Sequence, residues 1–156
     1  MSRHIALAVL LAACIIAYPI GAQPLRQKVP VERSGETSLA LRAPTDVRVI
    51  LKTSREPGHD GQEQSALRAV EITVAGKNIL VPRSVFCDLT DVTAAELKAD
   101  SKTFVLLLTG GDASEAYIVR VEFGPDRIRR RTLASLMAPQ NVLQDTTYRI
   151  HILRDK

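Results

Sequence analysis

Apolar and polar residues alternate in several short runs of this chain. Examples are Val47–Leu51, Val70–Val74 and Tyr117–Phe123, in which every second residue is apolar. Successive side chains of a strand point to opposite faces of its sheet, so a period of two is typical of strands with one buried face. Because turn residues separate these runs, the sequence predicts a mainly-β fold. We expect an antiparallel β-sandwich or small barrel of about six or seven strands.

The turns predict how some strands pair. Gly76-Lys77 lies between two apolar runs, which favours a two-residue turn with Val74 opposite Ile79. Residues 55–65 contain two glycines, a proline and no large apolar residue, so they predict a solvated loop. A last strand is expected to include Tyr148, Ile150 and Ile152.

One short segment matches the start of a helix. Thr93-Ala94-Ala95-Glu96 has the spacing of a capping box, in which the Thr and Glu side chains each accept a hydrogen bond from a free backbone N–H. Leu97-Lys98-Ala99 follows. The sequence therefore predicts one short helix over residues 93–99.

The N-terminus predicts export. Arg3 and His4 precede the apolar run Ile5–Ile16, and Pro19, Gly21 and Ala22 follow it. A basic start, a short apolar core and a small-residue exit are typical of a secretory signal peptide, here residues 1–22, which would be removed. Two alternatives stay open: a lipoprotein anchored through Cys14, and an uncleaved membrane anchor over Ile5–Ala22. After cleavage no membrane span is expected.

The remaining chain divides into two regions. Residues 23–42 mix charges, prolines and small residues, so we interpret them as a flexible leader. Residues 43–156 are predicted to form a single mainly-β domain, and they are sufficient for one hydrophobic core. With the signal pattern, this organisation predicts an exported protein, periplasmic or extracellular.

Few residues offer catalytic chemistry. Removal of the signal would leave Cys87 as the one cysteine, and its neighbours Val85, Phe86 and Leu89 predict a buried, unreactive thiol. A thiol-dependent enzyme using Cys87 with a histidine stays an alternative. His59, Asp60 and Glu63 could ligate a metal, but a glycine-rich loop does not hold ligands in fixed geometry. We therefore predict no enzyme, no metal site and no cofactor.

The densest charge lies in residues 124–132, GPDRIRRRT. A hairpin that pairs Phe123 with Ile128 places Glu122 opposite Arg129 and Arg120 opposite Arg131. Arg130 then falls on the side of buried Val121, which predicts a bulge or the end of the core. The candidate binding residues are the five arginines of this hairpin: Arg120, Arg127, Arg129, Arg130 and Arg131.

Two interpretations of these arginines stay open. They could form a charged edge strand that deters pairing with other chains, with acids elsewhere in the fold, such as Glu71 or Glu115, neutralising them. They could instead bind an acidic protein or another anionic component of the cell envelope. Nucleic acid is not expected as a partner, because the chain is predicted to be exported and only 4% of its residues are aromatic. The sequence thus favours a small non-catalytic interaction module, which binds through a sheet edge or through the Arg127–Arg131 strand.

Overall fold

A computed structural model describes residues 26–42, 45–58, 61–100 and 103–149 of the chain. The described part is built almost entirely from strands. Their bounds are β1 Arg26–Pro30, β2 Gly35–Leu41, β3 Val47–Pro57, β4 Glu63–Val74, β5 Lys77–Ile79, β6 Val92–Asp100, β7 Thr103–Gly110, β8 Tyr117–Phe123, β9 Ile128–Ser135 and β10 Val142–Thr147. The mainly-β prediction is confirmed, although the described strands outnumber the six or seven expected.

The strands form two antiparallel sheets. The larger sheet has the order β1-β6-β7-β8-β9-β10, and the smaller has the order β2-β3-β4-β5. Every second side chain is buried from Val47 to Thr53 in β3 and from Val119 to Phe123 in β8, as the alternation predicted. Both sheets contribute to one hydrophobic cluster, for example Leu51 and Ile72 from the smaller and Leu106 and Val121 from the larger. This arrangement is consistent with the predicted β-sandwich.

Residues 93–99 form strand β6 and not the predicted helix. β6 pairs with β1 on one side and with β7 on the other. Ladder hydrogen bonds on both sides satisfy the backbone, and Ala95 and Leu97 enter the core at 1% and 0% exposure. Glu96 forms ion pairs with Arg26 and Lys98, so it is not available to cap a helix. Tertiary pairing therefore outweighs a local capping signal.

The predicted flexible leader is also wrong for the residues that the structure describes. Strand β1 pairs with β6, and strand β2 pairs with β3 from Gly35 to Leu41. Leu39 and Leu41 are buried at 0% and 2% exposure. Most of the polar residues that resembled a linker occupy exposed positions of these strands, and Thr37 is the buried exception in β2.

Two connections differ from the prediction in length or register. The β4–β5 turn is Ala75-Gly76, with φ of 49° and 77°, and it places Ile79 opposite Ile72 rather than Val74. Two consecutive positive φ values define a type I′ hairpin turn, which glycine favours. The shift is two residues, so Ile79 still faces the core. The loop predicted over 55–65 is shorter than expected, because β3 extends to Pro57 and β4 starts at Glu63.

The described helices are single turns. They are the 3-10 segments Arg83–Val85 and Ala113–Glu115. Within the described ranges, no helix is both long enough and apolar enough to cross a bilayer. The predicted signal peptide and the Cys14 alternative lie outside the described residues and stay predictions. The final strand begins earlier than expected, at Val142, and Ile150 and Ile152 are also outside the described part.

Candidate functional site

The arginine stretch lies mostly in β9, which is an inner strand. β8 pairs with it on one side and β10 on the other. The interpretation of a charged edge strand is therefore wrong. The predicted pair Phe123–Ile128 is present, but a bulge between Glu122 and Phe123 shifts the register beyond it. Glu122 consequently lies opposite Arg130, and Arg131 lies opposite Val121.

The bulge buries Arg131. Directly opposed residues share one face of a sheet, and Val121 belongs to the core, so Arg131 also points inward. Arg131 is 1% exposed. Its guanidinium donates two hydrogen bonds to Asp88, at 2.8 and 2.7 Å, and one to the Val85 carbonyl oxygen at 3.0 Å. It also donates to Gln144 Oε1. Arg131 thus links β9 and β10 to residues 85–88.

Two further arginines pair within the fold. Arg130 Nε donates to Asp145 Oδ1 at 2.8 Å, and a second bond joins the same two side chains. This hydrogen bonding holds the pKa of Asp145 below its ordinary value. Arg120 Nε lies 2.9 Å from Glu122 Oε1. The carboxylates that pair with Arg120 and Arg130 therefore belong to the same sheet. They are not Glu71 or Glu115, since Glu71 pairs with Lys52 and Glu115 forms no ion pair with a described residue.

The last two arginines are more exposed. Arg127 lies 3.8 Å from the Asp126 carboxylate, and Arg129 forms no ion pair with another described residue. The Arg129 guanidinium packs against Gly124, where a Cβ atom would approach Arg129 Nη2 to 2.7 Å. Arg131 is buried, whereas Arg120 and Arg130 share the outer face of the sheet, and these three arginines have close carboxylate partners. The five arginines therefore do not form one surface of unpaired positive charge among the described residues.

Among the described strands, β10 lies at one edge of the larger sheet. All of its residues except Thr146 are exposed. Tyr148 N donates to Arg129 O at 2.9 Å, and Thr146 and Thr147 lie opposite Arg131 and Arg130. Because hydrogen-bonded and non-bonded pairs alternate along an antiparallel ladder, the N–H and C=O groups of Asp145 and Thr147 point away from β9. No strand of the described part pairs with that side.

Exposed apolar side chains surround the start of β10. Met137 is 80% exposed, Leu143 67%, Val142 54% and Leu136 43%. Leu143 also lines a depression of about 250 Å³, whose apolar walls are Leu89, Ala116, Leu133 and Leu143. Exposed apolar residues are ordinary when scattered, but a contiguous group marks a surface for interaction.

An acidic groove continues from this depression. It measures about 1020 Å³ and lies at the end of the two sheets where β7 leads into β8 and β9 into β10. Asp88, Glu115 and Tyr117 line both the depression and the groove. The charged side chains of the groove are five carboxylates and one guanidinium, namely Glu63, Asp88, Asp91, Asp112, Glu115 and Arg33.

Two groove residues mainly support the structure. Asp91 Oδ1 accepts a hydrogen bond from Ser65 N at 2.9 Å and pairs with Arg33 at 3.4 Å. Tyr117 donates its hydroxyl to Thr90 O at 2.6 Å. Burial raises the pKa of the Tyr117 phenol well above its ordinary value, and the charges of Asp91 and Asp88 raise it further. The phenol therefore stays protonated and holds the groove wall in place.

The sequence analysis missed the surface around β10. Leu136-Met137 and Val142-Leu143 flank the polar loop APQN, and paired apolar residues beside a turn were a usable signal. That signal was weak because apolar residues next to a turn are as common in the core as on the surface. The groove acids carry no sequence signal as a set, because they come from three separate parts of the chain, at the β3–β4, β5–β6 and β7–β8 connections.

Cys87 is exposed, so the prediction of a buried thiol is wrong. Val85, Phe86 and Leu89 enter the core, and the turn between them directs Cys87 outward. His59 and His151 lie outside the described residues, so the thiol-enzyme alternative stays a prediction. Among the residues described, no group of three or more His, Cys, Asp or Glu side chains has the geometry of a metal site.

We expect Cys87 to react with a thiol reagent in the folded protein. In a Cys14→Ser variant, which leaves Cys87 as the one cysteine, an aromatic disulfide reagent should titrate one thiol without denaturant. The rate should be comparable to that of the unfolded chain, because exposure governs access. A much faster rate would favour a nucleophile, and protection until unfolding would contradict the exposed position.

Comparison with known proteins adds no relative from which a role could be transferred. No family model, no curated protein and no solved structure matches this chain.

Proposed function

We propose that this protein is a non-catalytic interaction domain that binds an extended segment of another polypeptide along β10. The observation that supports this most is the outer edge of β10, which no strand of the described residues pairs with and which lies beside four exposed apolar side chains. A segment that adds to a sheet edge gains main-chain hydrogen bonds, and apolar contacts give it specificity. This proposal retains the predicted sheet edge and replaces the arginine strand as the binding element.

The other three edge strands are protected against such pairing. β5 has only three residues, and β1 carries Arg26, Lys28 and Pro30. On β2, Ala40 N already donates to Gln27 Oε1 at 2.5 Å. Short length, charge and proline are common ways to block an edge. β10 is six residues long and has no proline, and its one charged residue, Asp145, is engaged by Arg130. A bulge between Val142 and Gln144 interrupts its pairing only at the start of the strand.

The hydrogen bonds of the groove residues support a binding role over a catalytic one. Tyr117 and Asp91 would be its candidate acid and base, and both are held in hydrogen bonds to the backbone. A general acid or base must reach the reacting atom, which these geometries do not favour.

Export to the periplasm or the extracellular space remains part of the proposal and rests on the signal pattern of residues 1–22. We revise the domain predicted over residues 43–156 to about 26–149 or longer, because β1 and β2 belong to the sheets.

A photoreactive amino acid at Met137 should test the proposal in the cells that produce the protein. Illumination is expected to yield an adduct with another polypeptide. Thr147→Pro should abolish the adduct, because proline removes the outward N–H of Thr147 without removing a bond to β9. Thr147→Val keeps that N–H and should retain the adduct. The readout is the adduct band on a denaturing gel.

The same probe at Leu80 is the matched control. Leu80 is 76% exposed and follows β5 in the other sheet. We expect no adduct from this position. An adduct from Met137 that persists in Thr147→Pro would contradict the proposal, and so would an adduct with the mass of two copies of this chain.

A further inference from the structure

We infer that the segment bound by β10 is basic at one end. It places apolar residues against the exposed side chains around Leu143 and lysine or arginine over Asp112 and Glu115. This inference rests on the proposed function, since the segment that pairs with β10 is the one that reaches the groove.

The path from β10 to the groove is continuous. Leu143, at the start of β10, lines the apolar depression. Glu115 and Tyr117 line the depression on one side and the groove on the other. All strand pairs in the two sheets are antiparallel. A segment that pairs antiparallel to β10 therefore passes Thr147 first, then Leu143, and ends over the groove with its C-terminal residues.

The unpaired carboxylates of the groove favour a positively charged side chain in the bound segment. Asp88, Asp91 and Glu63 are paired with Arg131, Arg33 and Arg55. Asp112 and Glu115 are exposed, and neither forms an ion pair with a described residue.

The unpaired acids lie on a chain whose formal net charge is +4, so the groove is an acidic region of a basic protein. Local charge of one sign attracts segments of the opposite sign and repels those of the same sign. A basic segment therefore meets a local attraction here that an acidic segment would not.

Three fluorescent peptides test the inference on the purified protein. Each consists of alternating valine and threonine with an amidated C-terminus, and they end in Lys-Lys, Ser-Ser or Glu-Glu. By fluorescence anisotropy, we expect the Lys-Lys peptide to bind about five- to tenfold more tightly than the Ser-Ser peptide, since two exposed charge pairs contribute modestly. The Glu-Glu peptide should bind more weakly than both, and added salt should reduce the differences.

The advantage of Lys-Lys should disappear in the double variant Asp112→Asn/Glu115→Gln. Asp46→Asn/Asp126→Asn is the matched control, because it removes the same charge from exposed residues at the opposite end of the sheets. This control should keep the advantage.

The outcomes separate the inference from the proposed function. If the Ser-Ser peptide binds, loses affinity in Thr147→Pro and matches Lys-Lys in affinity, the inference is wrong and the proposed function stands. An advantage that survives in the groove variant also overturns the inference. If none of the three peptides binds, the proposed function fails and the inference fails with it.

Discussion

Replacing Arg131 with glutamine is expected to lower the free energy of unfolding by about 2–4 kcal/mol. The substitution removes both hydrogen bonds to Asp88 and leaves the buried Val85 carbonyl oxygen without its donor. The value lies below the full cost of breaking a buried ion pair, because the Asp88 side chain is 46% exposed and water can solvate it. Urea denaturation followed by circular dichroism measures the change.

Arg129→Gln is the matched control two residues away. Arg129 is exposed and forms no ion pair with a described residue, so its replacement should change stability by about 0.5 kcal/mol or less. Equal effects of the two substitutions would show that Arg131 is not buried and that the bulge does not set the register of β9. If Arg131→Gln were neutral or stabilising, a role in binding a partner would regain support.

Replacing Leu39 with alanine should cost about 2–5 kcal/mol of stability. Leu39 lies in β2 with 0% exposure, and its side chain belongs to the core shared by the two sheets. The substitution leaves a cavity that the packed neighbours only partly fill. Thermal or urea unfolding of the purified variant measures the loss.

Ala40→Ser tests the neighbouring outward position. Ala40 is exposed, so the change should be within about 0.5 kcal/mol. If residues 23–42 were a flexible leader, neither substitution would affect stability. That result would contradict the placement of β2 in the smaller sheet.

The faces of the strands could be predicted because their pattern is local. Val49 and Leu51 in β3, and Val119 and Val121 in β8, lie two residues apart, and every one of them is buried. A register error of two residues at Ala75-Gly76 left Ile79 on its predicted face, because the period of a strand is also two. Alternation thus determines which side of a strand is buried even where the pairing is misjudged.

The errors arose from pairing with distant segments and from a local turn that the residue pattern does not reveal. Thr93–Glu96 has a local helix signal, yet this segment lies in β6, which pairs with β1 on one side and with β7 on the other. Cys87 has apolar neighbours, but a turn within residues 83–89 directs it outward. For residues 93–99, the free energy of pairing with distant strands exceeds a local preference of about 1 kcal/mol. For Cys87, a local turn between buried neighbours sets the direction of the side chain.

The candidate site also separates what near neighbours in the sequence determine from what contacts between distant segments determine. By itself, the sequence determined a mainly-β, antiparallel fold and the faces of its strands, because alternation acts between near neighbours. Only the tertiary structure decided which arginine is buried and which partner it has. One bulged residue in β9 turns Arg131 into the core and toward Asp88, forty-three residues away. The tertiary structure also decided that β10 is an edge and that acids from separate connections meet in one groove. Sheet order and the meeting of loops depend on contacts between distant segments, which no short window of sequence contains.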